Sequence, residues 1–467
     1  MGVNESPAPA REIYYGGSTM KKTITPPASA GPEWTSRRIS RSATQLFLFC
    51  FLSYACSYLG RKSFNSCIPV MESEGFLTPE LSAIIPSCFM LAYGAGQFIN
   101  GIIGSKIKPK FMIAIGLGGA TVCSLAMGMT GMLENGARLM PVIWALNGLF
   151  NSMLWAPIIR TITNQMPIER RSSAGTGMNT ACSVGAILAY LIPGLLLNAG
   201  SWQFVFYMTA AILFACFMVW TLGNAFLSKY TKMMDEACRI ERAALLEKAD
   251  AEAAANNQKK RSRSLPAVIA ASGLWVVVFG LFCNGALRDA VETWAPDFLA
   301  KQFNMDSSMA AITTVVIPII SLSGTYIANW MNEKYIRNEL YTSCIMFAVA
   351  ALCIGGLFAC RNLHFLPCII FMAISISCMW GANLMFLTTI PYHFATLDMS
   401  AAVTGMFNSM IYIATALSSF LYGTLRTTGW DSVILVWLGV GIFGTVICAI
   451  FARFWGKKAA LLDEGKI

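Results

Sequence analysis

Charged side chains are scarce in this sequence of 467 residues, of which only 12% are Asp, Glu, Lys or Arg. Soluble globular domains carry about twice that fraction of charge. Hydrophobic residues make up 56% of the chain, and its mean hydropathy is +0.57. This composition excludes an ordinary soluble enzyme or binding module and is typical of an integral membrane protein.

Histidine is also scarce, since the sequence contains only two, His364 and His393. Two histidines are too few for a multi-histidine metal site. The 15 cysteines occur singly, without metal-like or redox-like pairs, and we interpret them as small apolar packing residues. The sequence also offers no nucleotide-binding loop and no nucleophile–base arrangement. We therefore expect no metal, no cofactor, no catalytic residues and no enzymatic activity.

Apolar runs of about 20 residues, the length that a bilayer-spanning helix needs, recur along the whole chain. A polar, alanine-rich stretch at 227–264 divides them into two sets of six. The sequence therefore predicts an all-α membrane protein with twelve transmembrane helices. We place the twelve spans near 44–67, 80–103, 111–131, 139–163, 173–198, 202–226, 266–291, 307–331, 340–360, 364–389, 400–422 and 431–454.

The division into two sets of spans gives the domain organisation. Residues 1–43 are polar and contain five prolines, so we expect a mobile N-terminal tail without a cleavable signal peptide. The other segments are an N-terminal six-helix bundle, a linker with a surface helix, a C-terminal six-helix bundle and a short tail, at 44–226, 227–264, 265–455 and 456–467.

The net charge of +10 suits nucleic-acid binding, but the distribution of Lys and Arg argues against that function. Six precede the first span and nine lie between Lys229 and Arg263. The loops of the opposite side hold only four, Arg138, Lys301, Arg361 and Arg426. This is the positive-inside pattern. It predicts a multi-pass protein of the plasma (inner) membrane with both termini cytoplasmic. The protein is then in contact with the lipid bilayer and not with a nucleic acid.

Each half of the chain contains the same short pattern. An arginine is followed by a proline eight residues later and by a phenylalanine seven residues after that, as Arg61, Pro69 and Phe76 and as Arg288, Pro296 and Phe303. Helix-start signals at Thr78 and Asp306 follow. This repetition indicates duplication of a six-span unit. Parallel repeats of this kind belong to secondary transporters, which bind their substrate between the halves near the membrane midplane.

Arg61 and Arg288 each lie within a predicted span, where a charged side chain costs about 2.5–3.5 kcal/mol. Repeat symmetry places the two arginines across a central cavity from each other. Guanidinium groups bind phosphate or carboxylate oxygens through two parallel hydrogen bonds, and a doubly charged phosphate suits two of them better than one carboxylate does. The alternative is that the arginines are satisfied internally, because Asp289 is adjacent to Arg288 and Glu292 lies one turn further on.

Other polar and aromatic residues share helix faces with the arginines. Lys62 is either a second ligand group or points outward toward the membrane surface. Polar residues inside spans are often interhelical contacts and not ligands, but together these predict a polar cavity with aromatic walls. The further candidates for substrate binding are Tyr54, Tyr58, Tyr93, Gln97, Trp155, Asn179, Trp380 and Tyr412.

Four stretches, YLGRKSF, LAYGAGQF, LFNSMLWAP and LRDAVETWAPDFL, resemble the organophosphate:inorganic phosphate antiporters of the major facilitator superfamily. Glycerol-3-phosphate and hexose-phosphate carriers belong to this family, and the likeness covers essentially residues 44–455. The resemblance implies two pseudo-symmetric six-helix bundles and alternating access by a rocker-switch movement. It also implies a phosphorylated organic anion, of the sugar phosphate or glycerol-3-phosphate class, and inorganic phosphate as the exchanged substrates.

The resemblance also assigns roles by position. It implies that Arg61 and Arg288 clamp phosphate. It implies that the cavity is lined by Tyr54, Tyr58, Lys62, Tyr93, Trp155 and Asn179. The sequence departs from the glycerol-3-phosphate carriers, which have lysine, histidine and an acid at the positions of Gln97, Cys182 and Thr293. Ser105 replaces the acidic residue of the family's turn motif.

Two other functions remain open. One is a transporter of an organic carboxylate or a sugar, coupled to protons through Asp289 or Glu292. The other is a transporter-like sensor that binds an anion without moving it, although no sizeable signalling domain is visible. We expect the protein to act as a monomer.

Overall fold

The computed structural model describes residues 34–103, 107–255, 274–394 and 399–463. Within these ranges, eleven helical segments are long and apolar enough to cross a membrane, and a further helix of 26 residues lies between the last two of them. In chain order we label the twelve α1 Ser36–Ser73, α2 Pro79–Ile103, α3 Pro109–Met132, α4 Gly136–Gln165, α5 Ile168–Ala199, α6 Trp202–Phe226, α7 Leu274–Gln302, α8 Ser307–Ile336, α9 Glu339–Cys360, α10 Phe365–Tyr392, α11 Ser400–Leu425 and α12 Trp430–Asp463.

The predicted all-α class with twelve membrane-spanning helices is confirmed, although several helices are longer than their apolar cores. α1 begins at Ser36 and α12 ends at Asp463, whereas the apolar runs suggest 44 and 454. The added first turns of α1 are polar, and Thr35 caps them by accepting a hydrogen bond from the Arg38 amide at 3.4 Å. Hydropathy detects only the part of a helix that lies in lipid.

The helix-start signals of the two halves are confirmed as caps. The Thr78 hydroxyl accepts a hydrogen bond from the Leu81 amide at 3.4 Å. The Asp306 carboxylate accepts one from the Ser308 amide at 3.0 Å. Each cap satisfies an amide that the first helical turn would otherwise leave without a partner. The second helix of each bundle therefore starts in the same way.

The two bundles pack against each other through α2 with α11 and through α5 with α8. A methyl group added at Gly94 would lie 2.9 Å from the Tyr412 Cβ atom. The Ser308 hydroxyl donates to the Gly194 carbonyl at 2.6 Å. Small residues at these positions allow the backbones of membrane helices to approach closely.

Asn147 and Asn151 have structural roles. The Asn147 amide donates to the Gly60 carbonyl of α1 at 2.6 Å, and the Asn151 amide donates to the Asn147 side chain at 2.8 Å. Both are buried. Asn147 connects α4 to α1 at the residue before Arg61, and Asn151 holds the Asn147 side chain in place.

Several helices depart from regular α-helical geometry, among them α4, α7 and α10. α4 is interrupted between Ser152 and Trp155. α7 stops at Leu287 and resumes at Asp289, so that Arg288 lies at the interruption. α10 contains a π-helical turn, Met385–Thr389. Such irregular turns are frequent at functional sites.

A helix at Ser228–Ala255 follows α6, within the predicted linker, and packs against the end of the N-terminal bundle. The Tyr230 hydroxyl donates to the Gln165 carbonyl at 2.9 Å, and Arg171 forms an ion pair with Glu241 at 3.1 Å. We call this end, where α1 also begins and α12 ends, the terminal face; the other end is the opposite face. Residues 1–33, Ser105, residues 256–264 and 464–467 lie outside the described ranges, so what we expect of these segments stays a prediction.

Candidate substrate-binding site

Arg61 lies in the middle of α1 and is buried, with 7% of its surface exposed. Its guanidinium carbon lies 4.8 Å from the centre of the Tyr58 ring and 4.5 Å from that of Tyr93. Its buried Nε atom has no hydrogen-bond partner, and within the described ranges no carboxylate forms an ion pair with it. Aromatic faces stabilise a guanidinium but do not neutralise it. Arg61 is therefore a buried positive charge without a carboxylate partner among the described residues.

Arg288 has a different environment on α7. Its Nε atom donates to the adjacent Asp289 carboxylate at 3.0 Å, and a terminal nitrogen donates to the Asn383 side chain. The guanidinium also lies against the Trp380 ring at 4.7 Å. Asp289 therefore satisfies Arg288 within α7, as the alternative to ligand binding expected. The expected pairing of Arg288 with Glu292, one turn further on, is wrong.

The two arginines flank a pair of tyrosines that crosses between the bundles. The Tyr93 and Tyr412 rings meet edge to face, with their centres 4.6 Å apart. Arg61 lies against Tyr93, and the Arg288 guanidinium carbon is 5.9 Å from the Tyr412 ring centre. Each bundle therefore contributes one cation and one tyrosine to the same central region.

Lys62 forms an ion pair with Glu292 of the other bundle, and the two side chains are only 8% and 4% exposed. The outward orientation considered for Lys62 is therefore wrong. The Tyr190 hydroxyl donates to the Glu292 backbone carbonyl at 3.1 Å, which fixes α5 of the first bundle against α7 of the second. Buried ion pairs contribute less to stability than their attraction suggests, because both ions lose water.

A cavity of about 60 Å³, enough for several water molecules, adjoins this ion pair. Five of the predicted site residues line it: Tyr58, Lys62, Asn179, Glu292 and Trp380. Neither guanidinium is part of its wall, but each lies against a ring that is. The remaining wall is mixed: it comes from Cys182, Ser183, Ser321, Thr325 and Tyr326 and from the apolar residues Ala186, Pro318 and Leu322.

The other predicted site residues surround this region. Tyr54 packs against Trp155 with ring centres 4.8 Å apart, one turn of α1 away from Tyr58. Gln97 lies one turn beyond Tyr93 on α2, and its buried Nε2 atom has no hydrogen-bond partner among the described residues. A buried polar atom without a partner costs free energy unless a ligand or water satisfies it.

The sequence reasoning missed the contributions of α8 and of Tyr190. Ser321 and Thr325 are four residues apart and therefore on one face of α8, a signal that was available in the sequence. Tyr190 gives no such signal, because its role depends on the approach of α7 from the other bundle.

A second charge cluster, which we call the opposite-face cluster, consists of the buried or nearly buried Glu72, Asp297 and Arg426 and the exposed Lys301. Arg426 pairs with both Glu72 and Asp297, and Lys301 also contacts both acids, with its nitrogen 3.2 Å from the Asp297 carboxylate. The Arg426 and Asp297 side chains are 2% and 0% exposed. Glu72 belongs to the first bundle and the other three to the second, so the cluster joins the bundles beyond the central site.

The sequence pattern of the Major Facilitator Superfamily matches residues 50–419. The chain belongs to the Major Facilitator Superfamily. This family consists of secondary transporters built from two six-helix halves, and the multi-pass architecture described above agrees with it. As a member of this family, the protein belongs among transporters and not among enzymes.

Three curated proteins illustrate the similarity. The chain is 23% identical over 313 residues to the glycerol-3-phosphate transporter of Bacillus subtilis, covering 66% of this chain and 68% of that protein. It is 23% identical over 460 residues to the phosphoglycerate transporter protein of Salmonella typhimurium, covering 96% of each. It is 22% identical over 309 residues to the membrane sensor protein UhpC of Escherichia coli, covering 66% and 68%.

Among solved structures of the superfamily, that of a D-xylose-proton symporter superimposes with a TM-score of 0.66 at 11% sequence identity. The superposition covers 88% of this chain and 97% of the symporter. At this level of identity, the likeness concerns the major facilitator fold alone.

Proposed function

We propose that this protein is a secondary transporter that exchanges a phosphorylated organic anion for inorganic phosphate by alternating access. The observation that carries the proposal is Arg61, a buried guanidinium that has no carboxylate partner among the described residues and lies at the junction of the two bundles. A permanent cation in this position favours an anionic ligand. The names of two curated relatives, a glycerol-3-phosphate transporter and a phosphoglycerate transporter, support the phosphorylated class.

In this proposal Arg61 and Arg288 bind the phosphoryl oxygens from opposite bundles. Lys62 is a third cation within reach of the same group once it leaves Glu292. Asn179, Gln97 and Trp380 contact the organic part of the substrate. Aromatic side chains exclude water around it, namely Tyr54, Tyr58, Tyr93, Trp155 and Tyr412.

The charge of the site explains why exchange is favoured over return of the empty carrier. When the bundles close around the site, Arg61 loses water without gaining a partner, at a cost of several kcal/mol. A bound phosphoryl group supplies that partner. Movement between the two open states should therefore be fast with an anion bound and slow without one.

The proposal includes the orientation and domain limits that the sequence predicts. The terminal face is on the cytoplasmic side of the plasma membrane, so both chain ends are cytoplasmic. The protein works as a monomer. The tail 1–43, the bundle 44–226, the linker 227–264, the bundle 265–455 and the tail 456–467 are the functional units.

Exchange in vesicles tests the proposal. Purified protein is reconstituted into liposomes that contain labelled phosphate, and glycerol 3-phosphate, glucose 6-phosphate or unlabelled phosphate is added outside. We expect rapid loss of label with an external phosphate compound and little without one. Equal loss with and without external anion would contradict exchange.

Two control arms of this experiment address the other functions. Uptake of free glucose or of a carboxylate driven by a pH gradient would support a proton-coupled transporter. Binding of phosphate without any flux would support a sensor, as the UhpC relative is named.

A further inference from the structure

The balance of charge around the central site limits the ligand that it can accept. Three cations, Arg61, Lys62 and Arg288, are buried beside two carboxylates, Asp289 and Glu292. Both carboxylates are already paired, Asp289 with Arg288 and Glu292 with Lys62. The site therefore has a net charge of one positive unit, although it contains three basic residues.

A phosphoryl dianion alone does not match this arrangement. If it recruits Lys62 in addition to Arg61, Glu292 loses its partner while it remains buried. A buried charge that loses its partner typically costs about 3–5 kcal/mol. A ligand that supplies a replacement cation to one carboxylate avoids this cost.

We propose that the transported organophosphate also carries an ammonium group, so that its net charge is minus one. This inference rests on the proposed function and specifies its substrate class. The phosphoryl group binds Arg61 and Lys62, and the ammonium group replaces Lys62 as the partner of Glu292. Arg288 stays paired with Asp289 and reaches the phosphoryl group through the terminal nitrogen that otherwise donates to Asn383. Each buried charge then keeps a partner of the opposite sign in the loaded carrier.

The cavity beside Glu292 has the chemistry that an ammonium group requires. Glu292 lines it, together with the side-chain oxygens of Asn179, Ser183, Ser321 and Thr325. Such oxygens can accept the ammonium hydrogens that the carboxylate does not bind.

Three aromatic rings of the wall, those of Tyr58, Tyr326 and Trp380, add to this chemistry because ring faces attract cations. Lys62 already lies 5.7 Å from the centre of the Tyr58 ring. The ammonium would therefore occupy an environment that holds an ammonium group in the empty carrier.

The charge match also sets the size of the expected preference. A phosphate monoester has a second pKa near 6, so roughly a tenth of it is a monoanion at pH 7. An ester without an amine has the required net charge of minus one only in this minor form, so its apparent affinity should be about tenfold lower. A phosphorylated amine has that net charge in its main form at pH 7.

Competition between matched compounds tests this inference. Phosphate exchange by the reconstituted protein is inhibited with O-phosphoethanolamine or with propyl phosphate, in which a methyl group replaces the ammonium. Glucosamine 6-phosphate and glucose 6-phosphate form a second pair. We expect about tenfold lower half-inhibitory concentrations for the amine of each pair at pH 7, and a smaller ratio at pH 5.5, where more ester is a monoanion.

Replacement of Glu292 tests whether this carboxylate causes the preference for the amine. Glu292→Gln should bring the ratio between amine and matched ester close to one, whereas Asp431→Asn, a change at the opposite face, should leave it unchanged. Equal inhibition by both members of each pair in the unsubstituted protein, with phosphate exchange intact, would overturn the inference and leave the proposed function standing. Absence of any phosphate exchange would overturn both.

Discussion

Lys62 of α1 and Glu292 of α7 form a buried ion pair that joins the two six-helix bundles beside the central cavity. The Tyr93–Tyr412 contact and the hydrogen bond from Tyr190 to Glu292 cross the same boundary. A ligand that enters this region therefore contacts the groups that hold the bundles together. In the proposed transport cycle, ligand binding and bundle movement are therefore coupled through these side chains.

This ion pair predicts that removal of either partner alone strongly destabilises the protein. Lys62→Ala or Glu292→Ala leaves one buried charge unpaired and should lower the free energy of unfolding by about 3–5 kcal/mol. The double variant removes both charges and should be clearly more stable than the sum of the single changes implies. Thermal unfolding of the purified protein measures all three, with the exposed pair Arg361 and Asp431 as the control.

If the double variant is as unstable as the two single losses added together, the two side chains do not interact as an ion pair. The same control cycle at Arg361 and Asp431 should show little coupling, since ion pairs near the surface are screened by water.

The opposite-face cluster predicts a bias between the two open states. Glu72→Gln removes the only acid that the first bundle contributes to the cluster, so Arg426 and Lys301 lose their contacts across the boundary. A hydrogen bond to a charged group contributes about 1.5–3 kcal/mol, so the state that is open at this face should become at least tenfold more populated.

Labelling of a cysteine measures this shift. Ala83 of α2 is fully buried and packs so closely on α11 that a methyl group added at Gly423 would lie 2.5 Å from its Cβ atom. Ala83→Cys therefore reports separation of the two helices. In a background without other reactive cysteines, a membrane-impermeant maleimide should label it faster when Glu72→Gln is present. Arg361→Gln breaks a pair within the second bundle and is the control. Equal labelling in both would contradict the assignment.

The close approach of α2 and α11 predicts that a glycine-to-alanine change at their contact lowers stability and transport, whereas the same change elsewhere does not. Gly94→Ala places a methyl group 2.9 Å from Tyr412, which forces a shift costing about 1–3 kcal/mol and should slow transport. Gly175→Ala meets nothing within 4 Å and should stabilise α5 by about 0.5–1 kcal/mol, since glycine is a poor helix residue. Thermal unfolding and phosphate exchange distinguish them; a loss of the same size at both sites would indicate no special contact at Gly94.

The sequence predicts well what depends on periodic or local signals. The spans follow from apolar runs, and the caps at Thr78 and Asp306 follow from their residue types. The burial of Arg61 and Arg288 follows from their position in apolar helices.

Partner choice among buried charges could not be predicted, because it depends on which helices meet. Glu292 is one turn from Arg288 in sequence but pairs with Lys62, since α1 and α7 cross at that level. Likewise, Glu72 and Arg426 are 354 residues apart, and no local pattern connects them. The hydrogen bond from Asn147 to the Gly60 carbonyl likewise depends on the approach of α1 to α4.

Phosphate binding by arginine variants tests the central claim most directly. Arg61→Lys and Arg288→Lys keep the charge but lose the planar fork that binds two oxygens at once, whereas Arg138→Lys makes the same change at an exposed position. Equilibrium binding of labelled phosphate to each purified protein gives the Kd. We predict a Kd raised roughly 10- to 150-fold in both central variants, as expected for losing about 1.5–3 kcal/mol, and an unchanged Kd in the control. Phosphate binding of unaltered strength in Arg61→Lys and Arg288→Lys would contradict the account.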